Sequence, residues 1–180
     1  MSKFCLGVLV GSLRQQSINL KLAKILTELS HDRFDSHFIQ IGDLPLFNQD
    51  LEANRPESVL RLKQEIEVSD AVLFVTPEYN RSIPSPLVNA LDWASRPYGA
   101  NSFAQKPGAI IGTSQGTLGT VCAQQSLRLT LSYLDMALMN QPEAYIQFKE
   151  PFDETATAFL KKYMDSFALW IEKTKNKSST

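Results

Sequence analysis

The chain is poor in cysteine and histidine, carries no cluster of basic residues, and has no long apolar run. Its two cysteines, Cys5 and Cys122, both lie in apolar surroundings and read as buried thiols. They rule out a disulfide framework and a structural zinc site, and they point to a reducing compartment, the cytoplasm. The two histidines, His31 and His37, fall around the start of the second expected strand, away from every loop of interest, and read as solvated or packed residues. Lys and Arg number 18 against 19 Asp and Glu, a net charge of −1 with no basic block, so no nucleic-acid surface is expected. No stretch approaches the roughly 20 apolar residues needed to span a bilayer, so no membrane partner is expected either. The opening MSKFCLGVLVGS is too short for a secretory apolar region and leads into polar residues, so it reads as a first strand.

What is present is an ordinary globular composition, 43% hydrophobic and 21% charged in 180 residues, enough for one domain with a sizeable core. No internal repeat or low-complexity tract interrupts it, and residues 173–180, rich in Lys and Ser, read as a frayed tail. Short apolar runs alternate with segments of helical periodicity. Strands are expected at residues 4–10, 36–41, 71–76, 108–113 and 144–148. Helices are expected at 19–29, 57–69, 86–95, 118–134 and 154–175, with a long loop over 42–57. Alternating strands and helices imply a parallel sheet covered on both faces. Right-handed crossovers then favour a three-layer α/β/α, flavodoxin-like fold with a five-stranded sheet of order 2-1-3-4-5. Ligands of such folds bind at the carboxyl ends of the central strands, so the loops after strands 1, 3 and 4 carry the functional question.

The first of these loops runs from Gly11 to Asn19 and opens a helix. Free backbone N–H groups and the helix dipole favour an anion there, with Ser12, Ser17 and Asn19 as neutral donors and Arg14 as a charged, planar one. Helix capping by Ser and Asn with a solvated Arg14 fits the same residues equally well. The second loop, from Thr76 to Pro86, is stiffened by prolines and can offer backbone groups to the edge of a flat heterocycle, with Tyr79 over a ring. The third, from Thr113 to Thr120, has glycines that permit close backbone approach. Taken singly, the second and third loops read more simply as turns. Specificity comes from their convergence at one switch point.

Together, Gly11-Ser12-x-Arg14-x-x-Ser17-x-Asn19, Leu44-Pro45-Leu46-Phe47-Asn48-Gln49-Asp50, Pro77-Glu78-Tyr79-Asn80, Asn89-Ala90-Leu91-Asp92-Trp93 and Ser114-x-Gly116-x-x-Gly119 resemble the NADPH-dependent FMN reductase family, which includes quinone, chromate and azo-dye reductases. The motifs span most of the chain. The resemblance implies that Ser12, Leu13, Arg14, Ser17, Ile18 and Asn19 bind the FMN phosphate end. It places Pro77, Glu78, Tyr79 and Asn80 at the isoalloxazine edge, and Ser114, Gln115 and Gly116 near the pyrimidine end. Asn80 and Arg81 are expected on the nicotinamide or acceptor side, where a surface salt bridge is an equal alternative for Arg81. Hydride would pass from NADPH or NADH through FMN to a quinone, free flavin, azo dye or chromate, without a nucleophilic side chain. A homodimer, sometimes paired into a tetramer, is implied as well. Ser85, Val88 and Ser126 stand where relatives often have Gly, Lys and His; they flank the flavin loops.

Other readings fit less well. Gly112-Thr113-Ser114-Gln115-Gly116 matches a nucleophile elbow, but that chemistry needs a histidine after the serine, and both histidines precede it. Cys122 and Arg128 have the spacing of a phosphatase loop, yet no glycine lies between them to form a phosphate cradle. Arg128 reads instead as an ion-pair partner, with Glu143 opposite by analogy. Acids for a phosphoryl-accepting metal site are absent after strand 1. A non-catalytic flavodoxin-type carrier or flavin-binding regulatory protein is the nearer alternative, although carriers are usually strongly acidic. Trp93 and Trp170 read as packing residues, and Asp92 as one half of a helix-end ion pair.

Overall fold

The computed structural model describes residues 3–177. The central strands form because their residues are apolar on both sides: β1 (Phe4–Val10), β3 (Ala71–Val75) and β4 (Pro107–Ser114) are almost wholly buried. With β2 (Phe34–Ile39) at one edge, the parallel order is β2-β1-β3-β4-β5, the flavodoxin-like arrangement read from the sequence. The fifth position is split. Ala137–Leu138 (β5) pairs with the start of β4, and Tyr145–Gln147 (β6) pairs with its end. Only the second piece was expected, because a two-residue strand leaves no periodic signal.

Alternation along the strands sends side chains to two cores. On one face Leu6, Val8, Leu73 and Val75 meet α1 (Ile18–Leu29) and α5 (Glu154–Lys177), with Leu22, Leu26, Phe167 and Ile171 among the buried contributors. On the other, Leu9, Val72 and Phe74 meet α2 (Glu57–Val68), α3 (Ser85–Ala94) and α4 (Val121–Tyr133), with Leu62, Trp93 and Leu127. Tyr163 is fully buried; burial pushes its phenol well above the ordinary range, and the hydroxyl donates to Ile110 O at 2.7 Å. Trp93 is likewise a core residue, and Trp170 packs against the first core while donating to Ala137 O at 2.8 Å.

Several boundaries differ from the sequence reading for physical reasons. β2 starts two residues early because Phe34, opposite Phe4, is needed in the first core; Ile41 is buried beyond the strand end and mimics its continuation. α4 begins at Val121 rather than at residue 118, because Gly119 takes φ +59° against the Tyr145 backbone and interrupts the helical path. α5 continues to Lys177, so the tail expected from Lys173 is helical that far; residues 178–180 lie outside the described residues. Cys5 and Cys122 are free but half-buried, not the fully buried thiols expected. Asp92 has no ion-pair partner among the described residues, contrary to the helix-end pairing expected; burial raises its carboxyl above the usual range. Arg128 and Glu143 do face each other, at 3.6 Å. No helix among the described residues is long and apolar enough to cross a membrane.

The loop after β2 is pinned to α3. Asn89 accepts from Phe47 N at 2.7 Å and donates to Pro45 O at 2.9 Å, while Trp93 Nε1 donates to the same oxygen at 2.8 Å. At the opposite end of the sheet Asp70 ties α5 to β1: it accepts from Cys5 N at 2.8 Å and pairs with Lys175 at 2.6 Å. Partial burial opposes ionisation of Asp70, but these donors outweigh it and hold the carboxyl below its usual value. A lowered carboxylate pKa stabilises the fold above the unfolded-state value of about 4, and that contribution is lost as pH falls through the lower folded value. Asp70→Asn is expected to cost about 1 kcal/mol at neutral pH, after allowing for solvent screening of the pair. Urea midpoints at pH 7 and pH 3 check this: the gap between parent and variant should shrink at pH 3, and an unchanged gap would contradict the assignment.

Candidate functional site

The carboxyl ends of β1, β3 and β4 open into a cleft of about 820 Å³. That volume lies within the roughly 300–1,000 Å³ typical of small-molecule sites. Its walls come from all three loops singled out in the sequence: Ser12, Arg14, Ser17, Ile18 and Asn19 from the first, Pro77, Glu78 and Tyr79 from the second, and Ser114 and Gln115 from the third. Leu13, Asn80, Arg81 and Gly116 do not line it. Leu13 is exposed and leans toward Gly42.

The first loop ends at Ser17, the N-cap of α1, whose hydroxyl accepts from Leu20 N at 3.2 Å. The cap satisfies one first-turn amide and leaves those of Ile18 and Asn19 without helical acceptors. Asn19 is buried, and its carboxamide is engaged with Thr113: Nδ2 donates to Thr113 O at 2.9 Å and Oδ1 accepts from Thr113 N at 3.0 Å. It therefore locks the helix start to the end of β4. Arg14 is exposed at the cleft and has no ion-pair partner among the described residues. A guanidinium left unpaired beside a helix N-terminus makes this end of the cleft attractive to a phosphate.

The second loop turns back on itself. Tyr79 and Ser82 exchange backbone hydrogen bonds of 3.2 and 2.9 Å, with Asn80 at φ 51° and Arg81 at φ 61° between them. Positive φ at both central residues is a type I′ turn, a conformation that stands a rigid finger at the cleft rim. Tyr79 is 42% exposed there, free to cover a ring. Glu78 points the other way. Its Oε2 accepts from Cys122 N at 2.8 Å and Ala123 N at 3.1 Å, and its Oε1 pairs with Arg81 at 3.1 Å. Thr120, at the N-cap of α4, makes no side-chain cap, so Glu78 supplies one from the neighbouring loop. The salt bridge that was one of the two readings for Arg81 is present here, with Glu78 as its partner.

The third loop is held from the last strand: Phe148 N donates to Ser114 O at 2.8 Å, Gln147 Nε2 to Gln115 O at 3.1 Å, and Thr113 Oγ1 to Ile146 O at 2.9 Å. Ser114 Oγ, the nucleophile of the elbow reading, donates to Gly116 O at 3.0 Å. Five further residues complete the walls, namely Gln16, Lys21, Thr113, Phe148 and Glu150. Lys21 and Glu150 form an ion pair of 2.6 Å at the mouth, with Lys21 also 5.9 Å from the Phe148 ring centroid. Lys21 was within reach of sequence reasoning, one helical turn after the Ser17 cap. Phe148 and Glu150 were not, because they arrive from the far edge of the sheet.

The profile of the NADPH-dependent FMN reductase family matches residues 5–151. A 2-hydroxy-1,4-benzoquinone reductase from a Burkholderia species is 47% identical over 174 residues, covering 92% of this chain and 95% of the relative. A quinone reductase from Pseudomonas putida is 42% identical over 177 residues, covering 94% and 95%. Among solved structures, FerB, a flavoenzyme NAD(P)H:(acceptor) oxidoreductase from Paracoccus denitrificans, superposes with a TM-score of 0.93 at 49% identity, covering 95% of this chain and 98% of that one. A cleft built from the three expected loops, and a match that spans most of the chain, agree: the chain belongs to the NADPH-dependent FMN reductase family.

Proposed function

We propose that this protein is an NAD(P)H-dependent reductase that works through bound FMN and delivers electrons to quinones. The observation that carries the proposal is the cleft itself, with unpaired Arg14 and the free first-turn amides of α1 at one end and the rigid Pro77–Tyr79 edge at the other. Those features fit the two ends of FMN, an anionic phosphate and a flat ring system. Relatives named as benzoquinone and quinone reductases support quinone over free flavin, azo dye or chromate as acceptor.

In this reading Ser12, Arg14 and the amides of Ile18 and Asn19 hold the phosphate, while Ser17 and Asn19 keep the helix start in place. Pro77, Glu78, Tyr79 and Asn80 form the loop along the ring edge. Within it the Glu78 carboxylate holds α4, and so keeps the third loop in register. Ser114 and Gln115 bring backbone donors to the pyrimidine side, with Gly116 following just beyond the cleft wall, and such donors favour negative charge on reduction. Asn80 and Arg81 stand on the turn beside the rim, placed to meet the nicotinamide donor or the acceptor once Arg81 leaves Glu78. The chemistry supplied by bound FMN is acceptance of hydride from NADPH or NADH and its onward delivery. No side chain needs to act as a nucleophile. Two free cysteines suit a reducing compartment, so the cytoplasm is the proposed location.

A homodimer is also proposed. Leu46, Tyr98, Leu129 and Tyr133 are each more than three-quarters exposed, and Tyr98 and Tyr133 border a hollow of about 460 Å³ together with Phe47. Exposed aromatic groups around such a hollow suit a second copy of the chain. Sedimentation of the purified protein should give twice the monomer mass, and Tyr133→Glu should lower it; a monomeric parent at micromolar concentration would contradict this.

The function is tested by colour. FMN-loaded protein should bleach anaerobically on addition of NADPH, and regain its colour when a benzoquinone is added after the nicotinamide has been removed. Failure of either half rejects the assignment. Arg14→Ala should weaken FMN binding by about 10- to 100-fold, the worth of one charge-assisted hydrogen bond, and leave turnover of flavin-saturated protein nearly unchanged. Equal FMN affinity in variant and parent, measured by fluorescence titration, would remove Arg14 from the site.

A further inference from the structure

The end of the sheet opposite the cleft carries a second arrangement of reactive groups that the reductase reading does not use. His37 on β2 stands in register with Gly7 on β1, and its imidazole reaches across that strand to Ser69 on the far side. Gly7 makes this possible: a Cβ there would lie 2.7 Å from Ser69 Oγ and 2.8 Å from Ile39 Cδ1. On one side of the ring Nε2 is 3.4 Å from Ser69 Oγ; on the other Nδ1 is 3.8 Å from Cys5 Sγ.

The hydrogen bonds assign the tautomer. The Ser69 hydroxyl has one hydrogen, and it is donated to Glu65 O at 2.7 Å. Toward His37 the hydroxyl can only accept, so Nε2 carries the proton and Nδ1 is the bare nitrogen. The bare nitrogen is the one that faces the thiol. A nucleophile, a base beside it and a third group orienting the base are the parts of an activated thiol. The charged groups around it are Asp70, bound to Cys5 N; Lys175, bound to Asp70; Lys106, whose Nζ donates to Ser69 O at 2.6 Å; and Glu67, whose carbonyl oxygen also faces Lys106. Burial lowers the pKa of Lys106 despite the neighbouring carboxylates. Cys5 is half-buried.

We propose that Cys5, His37 and Ser69 form a thiol-addition site for electron-poor alkenes conjugated to a carbonyl, the class to which quinones belong. His37 Nδ1 takes the thiol proton as the sulfur bonds to the ring carbon β to the carbonyl. The alkene electron pair moves toward the carbonyl oxygen, which takes up a proton, and the product is a thioether. With a benzoquinone, ring tautomerisation then gives a hydroquinone thioether, and no outside oxidant or reductant is consumed. The site lies about 20 Å from the cleft, the length of β1, so a bound adduct marks exposure to quinone without blocking the flavin. The choice of quinone rests on the function proposed above; the thiol chemistry does not.

The test uses a Cys122→Ser background, which leaves Cys5 as the single thiol. N-ethylmaleimide addition at pH 7, followed by intact-mass spectrometry, should be at least about tenfold faster in this protein than in its His37→Gln variant. It should also be faster than in the same chain unfolded in urea, a comparison that needs no variant at the histidine. Equal rates in either comparison overturn the site. Equimolar 1,4-benzoquinone should give one adduct on Cys5 and none after Cys5→Ser; absence of that adduct while maleimide labels quickly overturns the quinone assignment. Lost labelling with intact NADPH bleaching rejects this site alone, and intact labelling without bleaching rejects the reductase reading alone.

Discussion

The cleft depends on the carboxamide of Asn19. From the first turn of α1 it pairs with both backbone groups of Thr113, at 2.9 and 3.0 Å, as a neighbouring strand would. The two loops it joins are 94 residues apart in sequence. A buried amide that satisfies both a donor and an acceptor fixes distance and direction together, and leaving either group unpaired costs more than the bond itself contributes. Through it, the anion-attracting end of α1 is held at a set distance from the third loop.

Glu78 plays the matching part on the other side. Its carboxylate sits over the amides of Cys122 and Ala123 and completes a helix that has no cap of its own. The second loop is thereby tied to α4, and the third loop is held between β4 and that helix. The resulting site is made largely of backbone and of rigid turns. Such a site suits chemistry carried by a bound ring system, because donors fixed before binding need little rearrangement when charge develops.

The two ends of the sheet are built differently. At the carboxyl ends the chain leaves an open cleft with Arg14, a cation that has no ion-pair partner among the described residues. At the amino ends it packs charges and small groups closely: Asp70 with Lys175 and Cys5 N, Lys106 with Ser69 O, and His37 across Gly7. One glycine in an otherwise apolar strand decides whether that second arrangement can form.

Much of the fold was legible in the sequence. Continuous apolar runs at β1, β3 and β4 require a sheet buried on both faces, and alternation with helical segments leaves few topologies. The three loops that line the cleft were legible too, since that topology brings the ends of the central strands together. What local patterns do not carry is the partner of each side chain. Asn19 and Ser17 appear in the sequence as phosphate donors or as caps with equal weight, and only the position of Thr113 and Leu20 shows what they hold. The Arg81–Glu78 pair, the place of Phe148 and Glu150 at the cleft, and the two-residue β5 are likewise set by packing over long separations. The sequence by itself determined the periodicity, the sheet and the loops, because these follow from nearest-neighbour geometry and the burial of apolar surface. Tertiary structure decided which polar groups meet, because a hydrogen bond depends on placement to within fractions of an ångström, and residues far apart in the chain acquire that placement only when the cores close.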